Sequence, residues 1–133
     1  WHLELSKRAI LTSVAFRGTT AYLSHSEENL NTSEMGMIGA LDVNQSGTLT
    51  PDKMLWRTYA FQGGFASPVI DAERLYQVDN GAVLGAFDLA TGKLHGERAY
   101  NTSSSAWGGV FSAMTPKQIY ALADEIIGEI KQP

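Results

Sequence analysis

Ser67-Pro68-Val69-Ile70-Asp71-Ala72-Glu73-Arg74-Leu75-Tyr76-Gln77-Val78 is the stretch that decides the fold. It consists of two short β-prone runs around a polar turn, and a second turn at Asp79-Asn80-Gly81 leads into a third run over residues 82–87. The same plan stands upstream. Ser13-Val14-Ala15-Phe16, a turn at Arg17-Gly18-Thr19, and Ala21-Tyr22-Leu23 keep the nine-residue step from Ser to Tyr that Ser67 and Tyr76 show. A third copy starts at Gly109-Val110-Phe111-Ser112-Ala113, turns through Thr115-Pro116-Lys117 and reaches Ile119-Tyr120-Ala121-Leu122.

The third strand of the unit repeats as well, Ile38-Gly39-Ala40-Leu41-Asp42 beside Leu84-Gly85-Ala86-Phe87-Asp88. The first copy is longer, and its surplus falls in polar residues from His25 to Glu34, which have loop composition. A fourth strand is expected over residues 54–59 in one copy and about 94–100 in the other. Four short strands in roughly 40 to 50 residues is the size of a β-propeller blade. The expected fold is therefore all-β, a partial β-propeller of about three four-stranded antiparallel blades. Residues 1–6 read as the outer strand of a preceding blade. Residues 7–60 form a blade with a loop insertion at 24–36, residues 61–106 a second blade, and 107–133 a partial blade or a strand plus a C-terminal helix. In that last segment two patterns compete. Thr115-Pro116-Lys117-Gln118 is a good helix start followed by Ile119, Leu122, Ala123, Ile126, Ile127 and Ile130 at helical spacing, whereas the repeat register requires strands.

Composition excludes several classes of function. The 133 residues are 44% hydrophobic and 18% charged, a globular balance for one domain. Ten Lys+Arg against 14 Asp+Glu leave a net charge of −4, which offers no basic stripe for nucleic acid. With no cysteine there is no disulfide, thiolate metal site or thiol nucleophile. No window has the apolar length of a membrane span, and no signal peptide is recognisable. The sequence starts at Trp1 without Met, and three blades do not close a ring, so a fragment of a longer protein, or pairing with a second copy, is expected.

The motifs resemble the PQQ-like (quinoprotein-like) β-propeller repeats. Ser67-Pro68-Val69, Tyr76, Asn80-Gly81 and Ala86-Phe87-Asp88-Leu89-Ala90-Thr91-Gly92-Lys93 follow the pattern of that family, which ends its unit in a tryptophan. The second copy has Gly96 there. The first keeps the tryptophan as Trp56 but replaces Asp-x-x-Thr-Gly by the longer stretch 42–53, and Trp1 would be the same position in a preceding blade. Residues 23–36 are also similar to the longer-loop repeats of bacterial outer-membrane assembly propeller lipoproteins. The resemblance implies a structural repeat motif of Trp1, Trp56, Ser67, Pro68, Tyr76, Asp88, Thr91 and Gly92, and a periplasmic or cell-envelope address.

Candidate chemistry is sparse. Asp42, Asn44, Ser46 and Thr48 stand at alternating positions around Gly47 in the spacing of a calcium loop, but the twelfth place holds Lys53 where a bidentate Glu belongs. A hydrogen-bonded polar hairpin loop is the competing reading. The histidines His2, His25 and His95 share no metal-ligand spacing, and His25 beside Glu27 and Glu28 is the one placed in an expected loop. Gly63-Gly64 fits close strand packing as well as ligand approach. The reading is a non-catalytic module that binds a protein partner or self-associates through exposed strand edges, with no cofactor. Its alternatives are a fragment of a pyrroloquinoline quinone (PQQ)-dependent dehydrogenase, with PQQ and calcium, and a structural subunit completing a larger assembly.

Overall fold

Strand formation follows the β-prone runs read above. The computed structural model describes residues 1–99. Its strands are β1 (His2–Leu3), β2 (Ala15–Arg17), β3 (Thr20–Glu28), β4 (Met35–Asp42), β5 (Thr48–Leu49), β6 (Trp56–Tyr59), β7 (Val69–Ile70), β8 (Arg74–Val78), β9 (Val83–Asp88) and β10 (Leu94–Ala99). A single 3-10 turn over Pro51–Lys53 interrupts them. The described residues are all-β. They form two four-stranded antiparallel sheets, β2-β3-β4-β6 and β7-β8-β9-β10, each with its strands in an up-and-down meander, the arrangement of a propeller blade. The partial blade or helix expected over 107–133 lies outside the described residues.

The two sheets stack through an apolar interface. Tyr22, Ile38, Ala40 and Trp56 of the first meet Leu75, Phe87 and Leu89 of the second, and Phe61 of the connection enters between them. Phe61 stands edge-on to Phe87 with ring centroids 4.9 Å apart. Burial of each of the larger apolar groups contributes about 1.5–3 kcal/mol by area. The other face of the first sheet buries Leu23, Met37 and Leu41 under Leu5, Leu49 and Met54. On the second sheet the opposite face of Tyr76, Val78, Leu84 and Ala86 is buried too.

Two expectations are corrected here. The loop insertion placed at 24–36 is strand at both of its ends: β3 runs through Glu28 and β4 starts at Met35, with a register irregularity between His25 and Glu28. Ser24, His25 and Ser26 are buried within it. Small and locally bonded polar side chains there give loop composition to a stretch that packs on both faces. A Cβ on Gly64 would overlap Ser26 and one on Gly63 would crowd Gln77, so these glycines serve close packing of the connection against both sheets.

The second correction concerns residues 1–6 and Trp1. Instead of an outer strand on a preceding blade, β1 pairs parallel with β5, within the 42–53 stretch of the same unit. Lys7 N donates to Glu28 O, and Ser6 bridges Asn29. Leu3 and Leu5 are apolar on a side that the first sheet leaves uncovered, so the segment folds over that face. Trp1 is 52% exposed and donates its indole N–H to Val43 O at 2.8 Å, unlike the buried Trp56.

Candidate functional site

The Asp88 turn ties the sheets together. Asp88 Oδ1 accepts from Ala90 N, Thr91 N and Thr91 Oγ1 at 3.1, 2.8 and 2.8 Å, and Gly92 N closes the bend on Asp88 O. Hydrogen bonds from the Thr91 hydroxyl and N–H hold the Asp88 carboxyl below its ordinary pKa. Gly92 takes φ +70°, and its bare Cα faces the Trp56 ring of the other sheet. The Trp56 indole N–H donates to Leu89 O at 3.0 Å, while Thr58 Oγ1 donates to Gly92 O at 2.9 Å.

At the opposite end of the motif, Ser67 Oγ accepts the N–H of Ser13, a residue 54 positions earlier and its counterpart in the first copy. The next matched pair breaks the repeat. In the second sheet Asp71 accepts Glu73 N and Arg74 N through Oδ1 and the Tyr76 hydroxyl through Oδ2. Burial alone would raise the Asp71 pKa, but those three donors and the Arg74 charge outweigh it and hold it low. The counterpart of Asp71 is Arg17, again 54 residues away, and it cannot accept from Tyr22. Arg17 Nη1 instead crosses to the second sheet and donates to Asp71 O, at 2.8 Å, and to Ala72 O. A cleft of about 350 Å³ opens beside it, lined by Arg17, Tyr22, Glu73, Arg74 and Asp88 among others.

Other predicted positions stay apart. Asp42 Oδ1 accepts Asn44 N at 3.0 Å, Gln45 Nε2 donates to Asp42 O, and Thr48 is taken into β5 opposite His2. Among the described residues no three His, Cys, Asp or Glu side chains converge. One carboxylate, one amide and two hydroxyls, with Lys53 in the twelfth place, do not fit calcium. His2 and His95 each lie 3.6 Å from a carboxylate, of Glu4 and Asp88 respectively.

His25 is not in a loop but buried in β3, which corrects its expected setting. Its Nδ1 accepts Glu27 N at 3.2 Å, so the neutral ring carries its proton on Nε2. Burial lowers its pKa below 6.5, against opposing pulls from Glu27 and Asn29. A depressed histidine favours the folded state in its neutral form; that stability is complete above pH 6.5 and is lost as pH falls through the folded pKa. Asp71 and Asp88 are depressed as well, so their contribution holds above pH 3.8 and is lost below it. Urea midpoints measured against falling pH are expected to drop in two phases, the histidine first and the carboxylates after it. The His25→Gln variant is expected to lose the upper phase and keep the lower. A single phase starting near pH 4 in the unsubstituted protein contradicts this assignment.

The feature that sequence reasoning missed is the segment that leads into β2. Ile10, Leu11, Val14 and Phe16 are 41, 61, 43 and 62% exposed along one short segment at a sheet edge. Ala15 turns inward to the interface, so Phe16 faces away from the second sheet, beyond the area that Leu3 and Leu5 cover. No acidic residue stands between Glu4 and Glu27, while Lys7, Arg8 and Arg17 do. The absence of polar alternation over 9–16 is the signal that could have found it.

Two stacked four-stranded meanders, bonded at matched positions of an internal repeat, define an all-β repeat protein with blade-type sheets. No family model and no curated protein sequence matches it. Among solved structures, the crystal structure of BamB from Moraxella catarrhalis is similar over 75% of this chain, at 12% identity and a TM-score of 0.47. The sequence spans 24% of the length of that protein.

Proposed function

We propose that this protein is a non-catalytic, protein-binding segment of a PQQ-like β-propeller, and that β2 is where a partner docks. The observation that carries this reading is the exposed apolar strip of residues 10–16 at an open strand edge. Its partner is an extended segment of alternating apolar and acidic residues, which adds a strand to β2. Main-chain pairing would supply affinity, the strip would take the apolar side chains, and Lys7 and Arg8 would complement the acids. The repeat motif at Asp88, Thr91 and Gly92 supports the propeller reading and, with it, an envelope address.

The probe is the peptide acetyl-Glu-Val-Glu-Val-Glu-amide, titrated while the backbone amide resonances of residues 14–17 are followed. Saturable shifts confined to β2 are expected, weakened at least tenfold by Phe16→Glu, a change of roughly 1.4 kcal/mol or more. Because Phe16 is 62% exposed, that variant keeps its stability within about 0.5 kcal/mol. Sedimentation across a concentration range reads the rival occupant, a second copy of the protein. No β2 shift with the peptide overturns the partner reading, and a concentration-dependent dimer lost in Phe16→Glu replaces it by self-association.

A further inference from the structure

We infer that the cleft between the two sheets is a carboxylate-binding site built by the exchange of Asp71 for Arg17 across the repeat. In the second unit the Tyr76 hydroxyl is spent on Asp71 at 3.1 Å. In the first unit the corresponding Tyr22 is only 5% exposed, its ring tilted at 6.2 Å from that of Trp56, and its hydroxyl has no hydrogen-bond partner among the described residues. Tyr22 lines the cleft. Arg17 lines it too, and it is anchored: both of its hydrogen bonds run from Nη1 to backbone carbonyls of the facing turn. Those acceptors are neutral, so they fix the guanidinium without cancelling its charge. Among the described residues Arg17 pairs with no carboxylate, in a protein of net charge −4.

The donors left on Arg17 are Nε and Nη2, one edge of the planar fork, which matches the two oxygens of a carboxylate. The Tyr22 hydroxyl supplies a further donor to the same ligand. Glu73 and Asp88 also border the cleft. Asp88 is committed to its own turn and lies 3.6 Å from Arg74, and Glu73 is 82% exposed, so neither neutralises Arg17. Their negative charge disfavours a dianionic phosphate more than a monoanionic carboxylate. The ligand class is thus a carboxylate on a peptide, from an acidic side group or from the terminal carboxyl. As the occupant belongs to a protein, this site rests on the protein-binding reading above, but it is separate from strand addition along β2.

The probes are too small to add a strand: N-acetyl-aspartate N-methylamide for the acidic side group, N-acetylglycine for the terminal carboxyl, and inorganic phosphate as the competitor. Arg17 Nε–H and Tyr22 ring resonances are followed during titration. Either carboxylate is expected to shift both saturably, with dissociation constants on the order of 1 mM; the tighter one identifies the source. Tyr22→Phe is expected to weaken binding roughly tenfold while keeping the ring packed. Arg17→Asp, which restores the residue of the second unit beside Tyr22, is expected to fold and to abolish the shifts. The site is overturned if neither carboxylate shifts Arg17, if the Tyr22 shift survives in Arg17→Asp, or if phosphate binds more tightly than both carboxylates. Since β2 amide shifts with the longer peptide are read separately, failure here leaves the docking reading standing.

Discussion

Gly92→Ala is expected to lower stability by roughly 3 kcal/mol, the sum of a left-handed backbone penalty and steric overpacking. The position combines φ +70° with a Cα that faces Cε3, Cδ2 and Cζ3 of Trp56, so an added Cβ overlaps the ring. Neither partner has room to yield. Gly92 N is bonded to Asp88 O and Gly92 O accepts from Thr58 Oγ1, which holds the backbone, while the indole is held by its own bond to Leu89 O. In urea, with a slope of about 2 kcal/mol per molar, the midpoint should fall by about 1.5 M. A fall of less than about 0.5 M would show that the turn relaxes freely and that the sheets are not locked at this point.

Trp56→Ala is expected to cost about 4 kcal/mol. Trp56 is buried between Tyr22 of its own sheet and the turn of the other, and its removal leaves both a cavity and the Leu89 carbonyl without its donor. Trp56→Phe keeps much of the volume and loses the hydrogen bond, so its expected loss is about 1–2 kcal/mol. The two sites are in contact and must couple. In the Trp56→Ala background, Gly92→Ala should cost only the backbone penalty of about 1–2 kcal/mol, because the ring it overlaps is gone. Equal costs of Gly92→Ala in both backgrounds would place its whole effect in the backbone and remove the inter-sheet contact from the account. Both measurements use denaturant unfolding followed by circular dichroism of the β signal.

The origin of the Trp56 and Gly92 energies separates local from long-range information. The Asp88-Leu89-Ala90-Thr91-Gly92 turn is legible residue by residue, since a carboxylate that accepts N–H groups two and three positions on, followed by a glycine in the left-handed region, is complete within five residues. A left-handed residue at Ala82, rather than at the neighbouring Gly81, was not legible. There the hairpin is set by Asp79, which bonds Val83 through both backbone and side chain and leaves Ala82 to take φ 60°. For the candidate site, the Arg17 and Asp71 mismatch was visible once the two copies were aligned, but it carried no meaning without the cleft. The exposed strip leading into β2 was visible as an apolar segment and would ordinarily be assigned to a core.

Strand order within each unit, the Asp88–Gly92 turn and the β-prone runs that make the described residues all-β are properties of short stretches, and the amino-acid sequence was enough to establish them. Which surfaces meet was decided only in three dimensions. Residues 1–5 carry the pattern of an ordinary strand, yet they lie parallel to β5 because the far face of the first sheet offers Leu23, Met37 and Leu41 to be covered. The polar run 24–26 became buried strand, with Gly64 bringing the connection against Ser26. Arg17 found its acceptors on a turn 54 residues away. Local hydrogen-bonding and steric preferences act over a few residues and are written in order along the sequence, whereas burial and charge pairing depend on what the stacked sheets bring to the same place.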